Sequence, residues 1–449
     1  GGVSVTGQII CGDCIEEMAK MEANSIDAIV CDPPYSLGFM GKEWDKLWTK
    51  RDGRATNLPS RTHGTHPYLQ AKVERYLAGH QAQDWHYAWA LQALRILKPG
   101  GYLLAFGGTR TFHRLACALE DAGFEIRDTL CWLYGSGFPK SLDVSKAIDK
   151  AAGAKREILG INPNHRGESQ YRNPFTTKLG QDGTLTTPAT DAAKQWQGFG
   201  TALKPAWEGI LLCRKPISEK TIAANVLRWG TGGLNIDGCR IEGQPHSGGA
   251  HGVSIYGSPR HYESGPNKED NPLGRWPANL ILDEESVELL DEQSGERKSG
   301  GDFGFRTHKT GWPLKPMFSG HRAASSGGAS RFFFCAKASV RERDMGLEGL
   351  PQGLSAIDLP QGGIQKGNRR NHLCHNNHPT VKPLALMRWL VRLVTPPGGL
   401  ILDPFAGSGT TLLAARLEGF ECVGIEKEAD YCEIAEARLD ALEIPGLPP

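Results

Sequence analysis

The sequence predicts an α/β protein whose parallel sheet is assembled from both ends of the chain around a large central insertion. Three observations predict this. Strand-like and helix-like stretches alternate over roughly the first 135 and the last 75 of the 449 residues, the rhythm of a parallel sheet with helices on both faces. Neither end has enough strands to make a sheet alone, so the two must share one. The stretch between them is rich in Gly, Pro, Asn, Ser and Thr and carries one clear apolar strand, at 209–213.

Each element has a local cause. Residues 7–13 are strand-like, 15–21 suit a short helix, and Ile26-Asp27-Ala28-Ile29-Val30-Cys31-Asp32 reads as a buried strand stopped by Pro33-Pro34. Apolar residues at helical spacing span 84–97, and Pro99-Gly100-Gly101 ends that helix. A strand at 102–106, a helix at 110–122 stopped by Gly123 and a strand at 126–133 follow. The far end repeats the rhythm with a helix at 383–394, a Pro-Gly turn, a strand at 400–403, a helix at 410–418 and a strand at 422–426. Residues 36–83 and 160–200 lack periodicity and are expected to be loops, the first a cover over the site that begins at Asp32.

Composition sets limits on function. No apolar run is long enough for a bilayer, so a soluble, cytoplasmic protein is expected. The 11 cysteines are an odd number scattered mostly inside apolar runs, which reads as reduced thiols rather than a disulfide framework. Cys11 and Cys14 have the spacing of half a zinc site, but there is no second Cys-x-x-Cys, and no metal is expected. The net charge of +1 conceals an asymmetry: residues 139–370 hold 31 Lys and Arg against 25 Asp and Glu, while the two ends hold 20 against 25. Within 294–343 ten basic side chains face three acidic ones, a segment that is either a solvated surface or a phosphate-contacting one.

Two short stretches carry chemistry. Leu402-Asp403-Pro404-Phe405-Ala406-Gly407-Ser408-Gly409-Thr410-Thr411 joins a strand to a helix N-terminus through glycines, and Glu426 ends the next strand 19 residues past Gly407. That geometry lets a backbone approach a nucleoside while the acid accepts its ribose hydroxyls. A dinucleotide fingerprint wants a third glycine where Leu412 stands, which favours a smaller nucleoside cofactor over one with a pyrophosphate. Asp32-Pro33-Pro34-Tyr35 ends a buried strand, where parallel sheets place their ligands. It offers a carboxylate, a proline carbonyl and an aromatic face, a set suited to a planar amino group. Each stretch also has a plainer reading as a rigid turn, weakened for the glycine stretch by the acid at the right spacing.

Together they resemble a known family. Asp32-Pro33-Pro34-Tyr35 followed far downstream by Asp403 to Thr411 resembles the amino-methylating DNA methyltransferases, adenine-N6 or cytosine-N4, which use S-adenosylmethionine. With the glycine motif last, the order is similar to the β class, whose target recognition domain lies between the motifs. Gly12-Asp13, His378-Pro379-Thr380-Val381-Lys382-Pro383 and Gly41-Lys42-Glu43-Trp44-Asp45 match as well.

The resemblance implies a Rossmann-like class I methyltransferase sheet with a central target-recognition insertion. It divides the chain into a catalytic half at 1–137, a central region at 138–377 whose strand near 207–216 returns to the sheet, and a cofactor-binding half at 378–449. It implies that Asp32, Pro33, Pro34 and Tyr35 bind and activate the amino group of a flipped base. Asp13, Asp403, Phe405, Gly407, Ser408, Gly409, Thr410, Thr411 and Glu426 would hold S-adenosylmethionine, with Lys382 near its methionine carboxylate. Lys42, Trp44, Arg297, Lys298, Arg306, Lys309 and Arg322 are the expected contacts to double-stranded DNA, and no membrane partner is expected. A homodimer, a cognate restriction endonuclease and a nucleoid-associated location in a bacterial or phage context stay open.

Adenine-N6 is the expected target, because cytosine-N4 enzymes of this family more often carry Ser where Asp32 stands. Cytosine-N4 methylation, an RNA or protein-glutamine methyltransferase and a catalytically dead DNA-binding module are the rivals. Cytosine-C5 methylation uses a thiolate, usually in a Pro-Cys dipeptide, and no cysteine here follows a proline.

Overall fold

The computed structural model describes residues 7–35, 67–135, 137, 141–161, 184–242, 274–303, 320–336, 344–347, 353–354, 373–374, 376, 378 and 380–442, with only the backbone of 67–79 and of a few strand residues. The described residues within Gly1–Leu133, Glu208–Glu348 and Val381–Pro449 form one unit, and those within Tyr134–Trp207 and Gly349–Thr380 a second. In chain order the elements begin with β1 (Gly7–Cys11), α1 (Cys14–Lys20), β2 (Ile26–Cys31), α2 (Pro67–Ile96), β3 (Leu97–Gly107), α3 (Phe112–Asp121) and β4 (Glu125–Leu133). The second unit holds α4 (Val144–Ala151), β5 (Ile158–Ile161), β6 (Thr184–Thr186) and α5 (Asp191–Gln195). The chain continues with β7 (Trp207–Arg214), α6 (Ile222–Trp229), β8 (Leu280–Asp283), α7 (Glu284–Ser294), β9 (Arg297–Phe303), β10 (Gly320–Gly327) and β11 (Phe334–Ala336). It ends with β12 (Gly353–Leu354), β13 (Leu373–Cys374), α8 (Leu384–Val394), β14 (Leu400–Asp403), α9 (Thr410–Leu417), β15 (Glu421–Glu426) and α10 (Ala429–Ala441).

Nine strands make one sheet in the order β1-β15-β14-β2-β3-β7-β4-β8-β11. The two chain ends meet where β14 pairs parallel with β2, Ile401 against Ala28 and Leu402 against Ile29. A buried carboxylate fastens this seam: Asp27 accepts the Leu400 N–H at 2.9 Å with one oxygen and the Lys98 ammonium at 2.6 Å with the other. β2 is buried at all six positions because both its faces are covered. Ala28 and Val30 point to the side of α8 and α9, with Met387, Leu390 and Leu413. Ile29 and Cys31 point to the side of α1, α2 and α3, with Met18, Trp89 and Leu119. This is the α/β architecture expected from the alternating pattern.

Four features differ from the sequence expectation, the first being that β6 and α5 stand inside 160–200, a stretch expected to be a loop. α2 starts at Pro67, well before 84, inside the stretch expected to be a loop. Pro suits the first helical position, and Leu, Gln, Ala, Lys and Glu favour helix without forming an apolar stripe, so periodicity missed it. β8, α7 and β11 add a further β-α-β unit to the sheet, with β11 parallel to β8. The thiol reading also needs correction, since Cys11 and Cys432 form a disulfide. Cys11 ends β1 beside β15, and the short turn after β15 brings the first turn of α10 back over it. Among the described residues no helix is long and apolar enough to cross a membrane.

In the second unit, buried Asp149 on α4 gathers four donors: Arg156 at 2.7 Å, the backbone N–H groups of Ala189 and Thr190 at 3.0 Å, and the Thr190 hydroxyl at 2.8 Å. Thr190 in turn caps α5 through the Ala193 N–H. One carboxylate thus ties the helix to the strand pair β5–β6.

Candidate active site

The cofactor side is built largely from backbone. β14 ends at Asp403, and the loop that follows turns at Gly407 (φ 52°) and Gly409 (φ 78°) before α9 begins. Positive φ at both suits glycine. At Gly409 a side chain would also meet Ala435 of α10 at 3.0 Å. Glu426, at the end of β15, closes the loop by accepting the Gly407 N–H at 2.7 Å and the Glu428 N–H at 2.9 Å, one on each oxygen. Burial pushes its carboxyl above the usual range, against these backbone bonds. Asp13 caps α1 at 3.0 Å to the Ile15 N–H, and the neighbouring Gly12 N–H bonds the Glu426 carbonyl at 2.9 Å. The two acids therefore stand at adjacent strand ends.

Behind the loop the packing is aromatic. Trp85 and Trp89 on α2 lie 5.7 and 5.3 Å from the Phe405 ring. Trp89 donates to Nδ1 of buried His86 at 3.0 Å, and burial holds that imidazole neutral, with its pKa down to about 3. Asp403 accepts the Phe405 N–H at 3.0 Å, and burial lifts its carboxyl to about 7 against the bonds from Thr411 and Phe405. Ser408 and Thr410 are buried. Both accept Nη1 of buried Arg438 on α10, at 3.2 and 3.1 Å, so that this guanidinium supports the loop from below.

The target side is built from side chains far apart in sequence. Asp32 follows β2, one strand from Asp403. Its Oδ2 accepts the Lys382 ammonium at 2.9 Å, and Lys382 also reaches Glu208 Oε2 at 3.0 Å. The Tyr35 hydroxyl donates to the same Glu208 oxygen at 3.1 Å and lies 3.2 Å from the Lys382 nitrogen, which sits 4.7 Å from the centroid of the Phe106 ring. Asp32 Oδ1 is buried and, among the described residues, has no donor. Burial raises the Asp32 carboxyl and Lys382 offsets part of that rise. For Lys382, burial pulls the ammonium down, and the Asp32 and Glu208 carboxylates outweigh it and push it up. Tyr35 is fixed at both ends of the residue. Thr111 Oγ1 donates to its carbonyl at 2.7 Å, and its ring lies against Gly108, where a Cβ would stand 2.7 Å from Cδ2.

The chain matches the profile of the N6/N4 DNA methylases over residues 26–437. It belongs to that family. Type II methyltransferase M.HindIII of Haemophilus influenzae is 23% identical over 439 residues, covering 95% of this chain and 93% of the relative. Type II methyltransferase M.ScaI of Streptomyces caespitosus is 42% identical over 92 residues, 20% of this chain and 30% of the relative. Among solved structures, the cytosine-N4-specific PvuII DNA methyltransferase aligns with a TM-score of 0.42 at 13% identity, over 99% of this chain and 88% of that one.

In this DNA methylase the sequence-derived residues fall into three groups. Asp13, Asp403, Phe405, Gly407, Ser408, Gly409, Thr410, Thr411 and Glu426 gather at the ends of β1, β14 and β15, and Asp32 to Tyr35 at the end of β2. Lys382, expected beside the cofactor, stands on the Asp32 and Glu208 carboxylates. Arg297 and Lys298 are exposed at the root of the β9–β10 hairpin, in the connection between the outermost strands β8 and β11, and Arg331 bonds the Arg297 carbonyl. Arg322 lies on β10, while Lys42, Trp44, Arg306 and Lys309 fall outside the described residues.

Glu208 and Arg438 were not anticipated from sequence. Glu208 had a legible signal, an acid at the start of the apolar strand read at 209–213. β7 runs antiparallel to β3, with Gly209 opposite Gly107, so its beginning meets the edge where the parallel strands end.

Proposed function

We propose that the methylase transfers a methyl group from S-adenosylmethionine to the N6 amino group of an adenine flipped out of double-stranded DNA. The observation that carries this reading is the Asp32 carboxylate, buried at a strand end with Oδ1 free of donors among the described residues while Oδ2 is held by Lys382. An adenine amino group donates hydrogen bonds, and a buried acceptor without a donor is the complement it needs.

The residues on the cofactor side suit a nucleoside. Glu426 keeps lone pairs beyond its two backbone bonds for ribose hydroxyls, Asp13 offers an acceptor at the adjoining strand end, and Phe405 is fixed by two tryptophans. S-adenosylmethionine, when bound there, supplies a methyl group whose bonding electrons leave with the sulfur. Asp32 polarises the target amino group through its proton and accepts that proton once the nitrogen lone pair has formed the new bond. Tyr35, anchored through its carbonyl and hydroxyl, offers a face for the extruded base, which costs a few kcal/mol to unstack. No covalent adduct to the protein is required, and fixed geometry lowers the barrier by proximity.

Asp rather than Ser at position 32 favours adenine over cytosine. The relatives named as type II methyltransferases favour a modification enzyme paired with a restriction activity. Nucleoside mass spectrometry of DNA from cells expressing the protein tests the reading. N6-methyladenine is expected, N4-methylcytosine would replace the adenine assignment, and unmodified DNA would overturn both.

A further inference from the structure

We infer that Glu208 is a positioning residue of the methyl-transfer site, which holds Lys382 and Tyr35 so that the ammonium engages one Asp32 oxygen and leaves the other free for the base. This rests on the methyl-transfer reading above. An ammonium has three donors. Lys382 has three acceptors around it, Asp32 Oδ2 at 2.9 Å, Glu208 Oε2 at 3.0 Å and the Tyr35 hydroxyl at 3.2 Å, with the Phe106 ring at 4.7 Å. An ammonium so saturated is held to one Asp32 oxygen and does not bridge both. The Tyr35 hydroxyl, donating to the same Glu208 oxygen at 3.1 Å, fixes the tilt of the ring. Four residues at 32, 35, 208 and 382 thus form one unit, in which one Glu208 oxygen accepts from both the Lys382 ammonium and the Tyr35 hydroxyl.

The electrostatics give the unit a signature. Among the described residues, the charged groups facing Asp32 are Lys382 and Glu208, with Asp403 on the neighbouring strand and the Tyr35 hydroxyl beside it. Lys382 favours the ionised form of Asp32, and Glu208 opposes it. A purely structural role for Glu208 would disturb stability or rate but would not move the titration of Asp32 in a defined direction.

The test measures methyl transfer to DNA against pH, scored on whichever methylated nucleoside forms, for the wild type and for Glu208→Gln, Glu208→Asp and Lys382→Met. For Glu208→Gln, kcat falls about tenfold or more, KM for S-adenosylmethionine stays within about twofold, and the acidic limb of the profile moves to lower pH. For Lys382→Met the acidic limb moves to higher pH. Glu208→Asp keeps the charge and leaves the limb where the wild type has it. A Glu208→Gln enzyme with wild-type kcat and limb, or limbs moving the same way in Glu208→Gln and Lys382→Met, overturns the inference. Lys382→Met acts on the same carboxylate from the other side and carries the test should Glu208→Gln fail to fold. A methyl group on cytosine refutes the adenine target and leaves the limb shifts readable, whereas unmodified DNA overturns both.

Discussion

The two sides of the site are made in opposite ways. The cofactor side is a loop closed by its neighbour: the Gly407 N–H donates to the Glu426 carboxylate at 2.7 Å, and the helix beneath supports the loop through one guanidinium. The target side is a knot of four side chains from three separate segments, held by ionic contacts of 2.9 and 3.0 Å around Lys382. Backbone architecture can be written into a short consecutive motif. Side-chain architecture of this kind exists only after the sheet has brought distant residues together. On the proposed function, the same sheet edge carries a rigid binding half and an electrostatically tuned reactive half, which mutation should separate.

The sharpest separation comes from Asp32→Ala. Turnover is expected to fall by about a thousandfold, within the range lost when a proton-accepting group is removed, while the dissociation constant for S-adenosylmethionine stays within about twofold. Calorimetry alongside single-turnover kinetics checks it, and equal losses in both would merge the two halves. The converse variant is Glu426→Ala, which removes the acceptor that closes the loop. A cofactor affinity about 10- to 100-fold weaker, with DNA affinity unchanged, is expected from the loss of buried hydrogen bonds.

Asp403 extends the comparison to stability. Its carboxyl is lifted from 3.8 to about 7 by burial, so the folded state holds a proton that the unfolded chain releases at lower pH. Stability contributed by this proton is present below the unfolded value and is lost as pH rises toward 7, with a slope of at most about 1.4 kcal/mol per pH unit. Asp403→Asn should flatten that slope in urea titrations between pH 4 and 7; an unchanged slope would assign the pH dependence to other groups. The smallest effect concerns the exposed hairpin root. Replacing Arg297 and Lys298 with Ala should lower the salt slope of DNA binding by up to about 2, and an unchanged slope would place the phosphate contacts elsewhere.

How much of this was legible follows the same division. The central strands, the glycine loop and Glu426 were readable because each depends on neighbours in sequence: apolar runs stopped by Pro33-Pro34, glycines at positive φ, an acid at a fixed distance. The unit of four was not, since Lys382 and Tyr35 are 347 residues apart and Glu208 and Tyr35 are 173 apart. A telling pair is the repeated Leu-Ile-Leu-Asp at 280–283 and 400–403, strands of one sheet with two fates. Asp283 caps α7 directly, bonding the Ser286 N–H at 2.7 Å, because Glu284 and Glu285 start a helix at once. Asp403 is followed by Pro404 and a glycine loop, and its carboxylate turns inward instead. The first copy was overlooked because a four-residue strand in a polar region gives too short a pattern to rise above its surroundings.

The seam between β2 and β14 has a consequence for how the protein is made. The edge of β2 that Ile401 and Leu402 will cover is an apolar strand lying open until those residues leave the ribosome, some 373 residues after Ala28. At synthesis rates of about 5–20 residues per second that interval is roughly 20–75 s, during which the nascent chain displays an unpaired central strand. Asp27, which ends as the bond acceptor of Leu400, places a charge on that waiting strand and discourages it from pairing with the strand of another nascent chain.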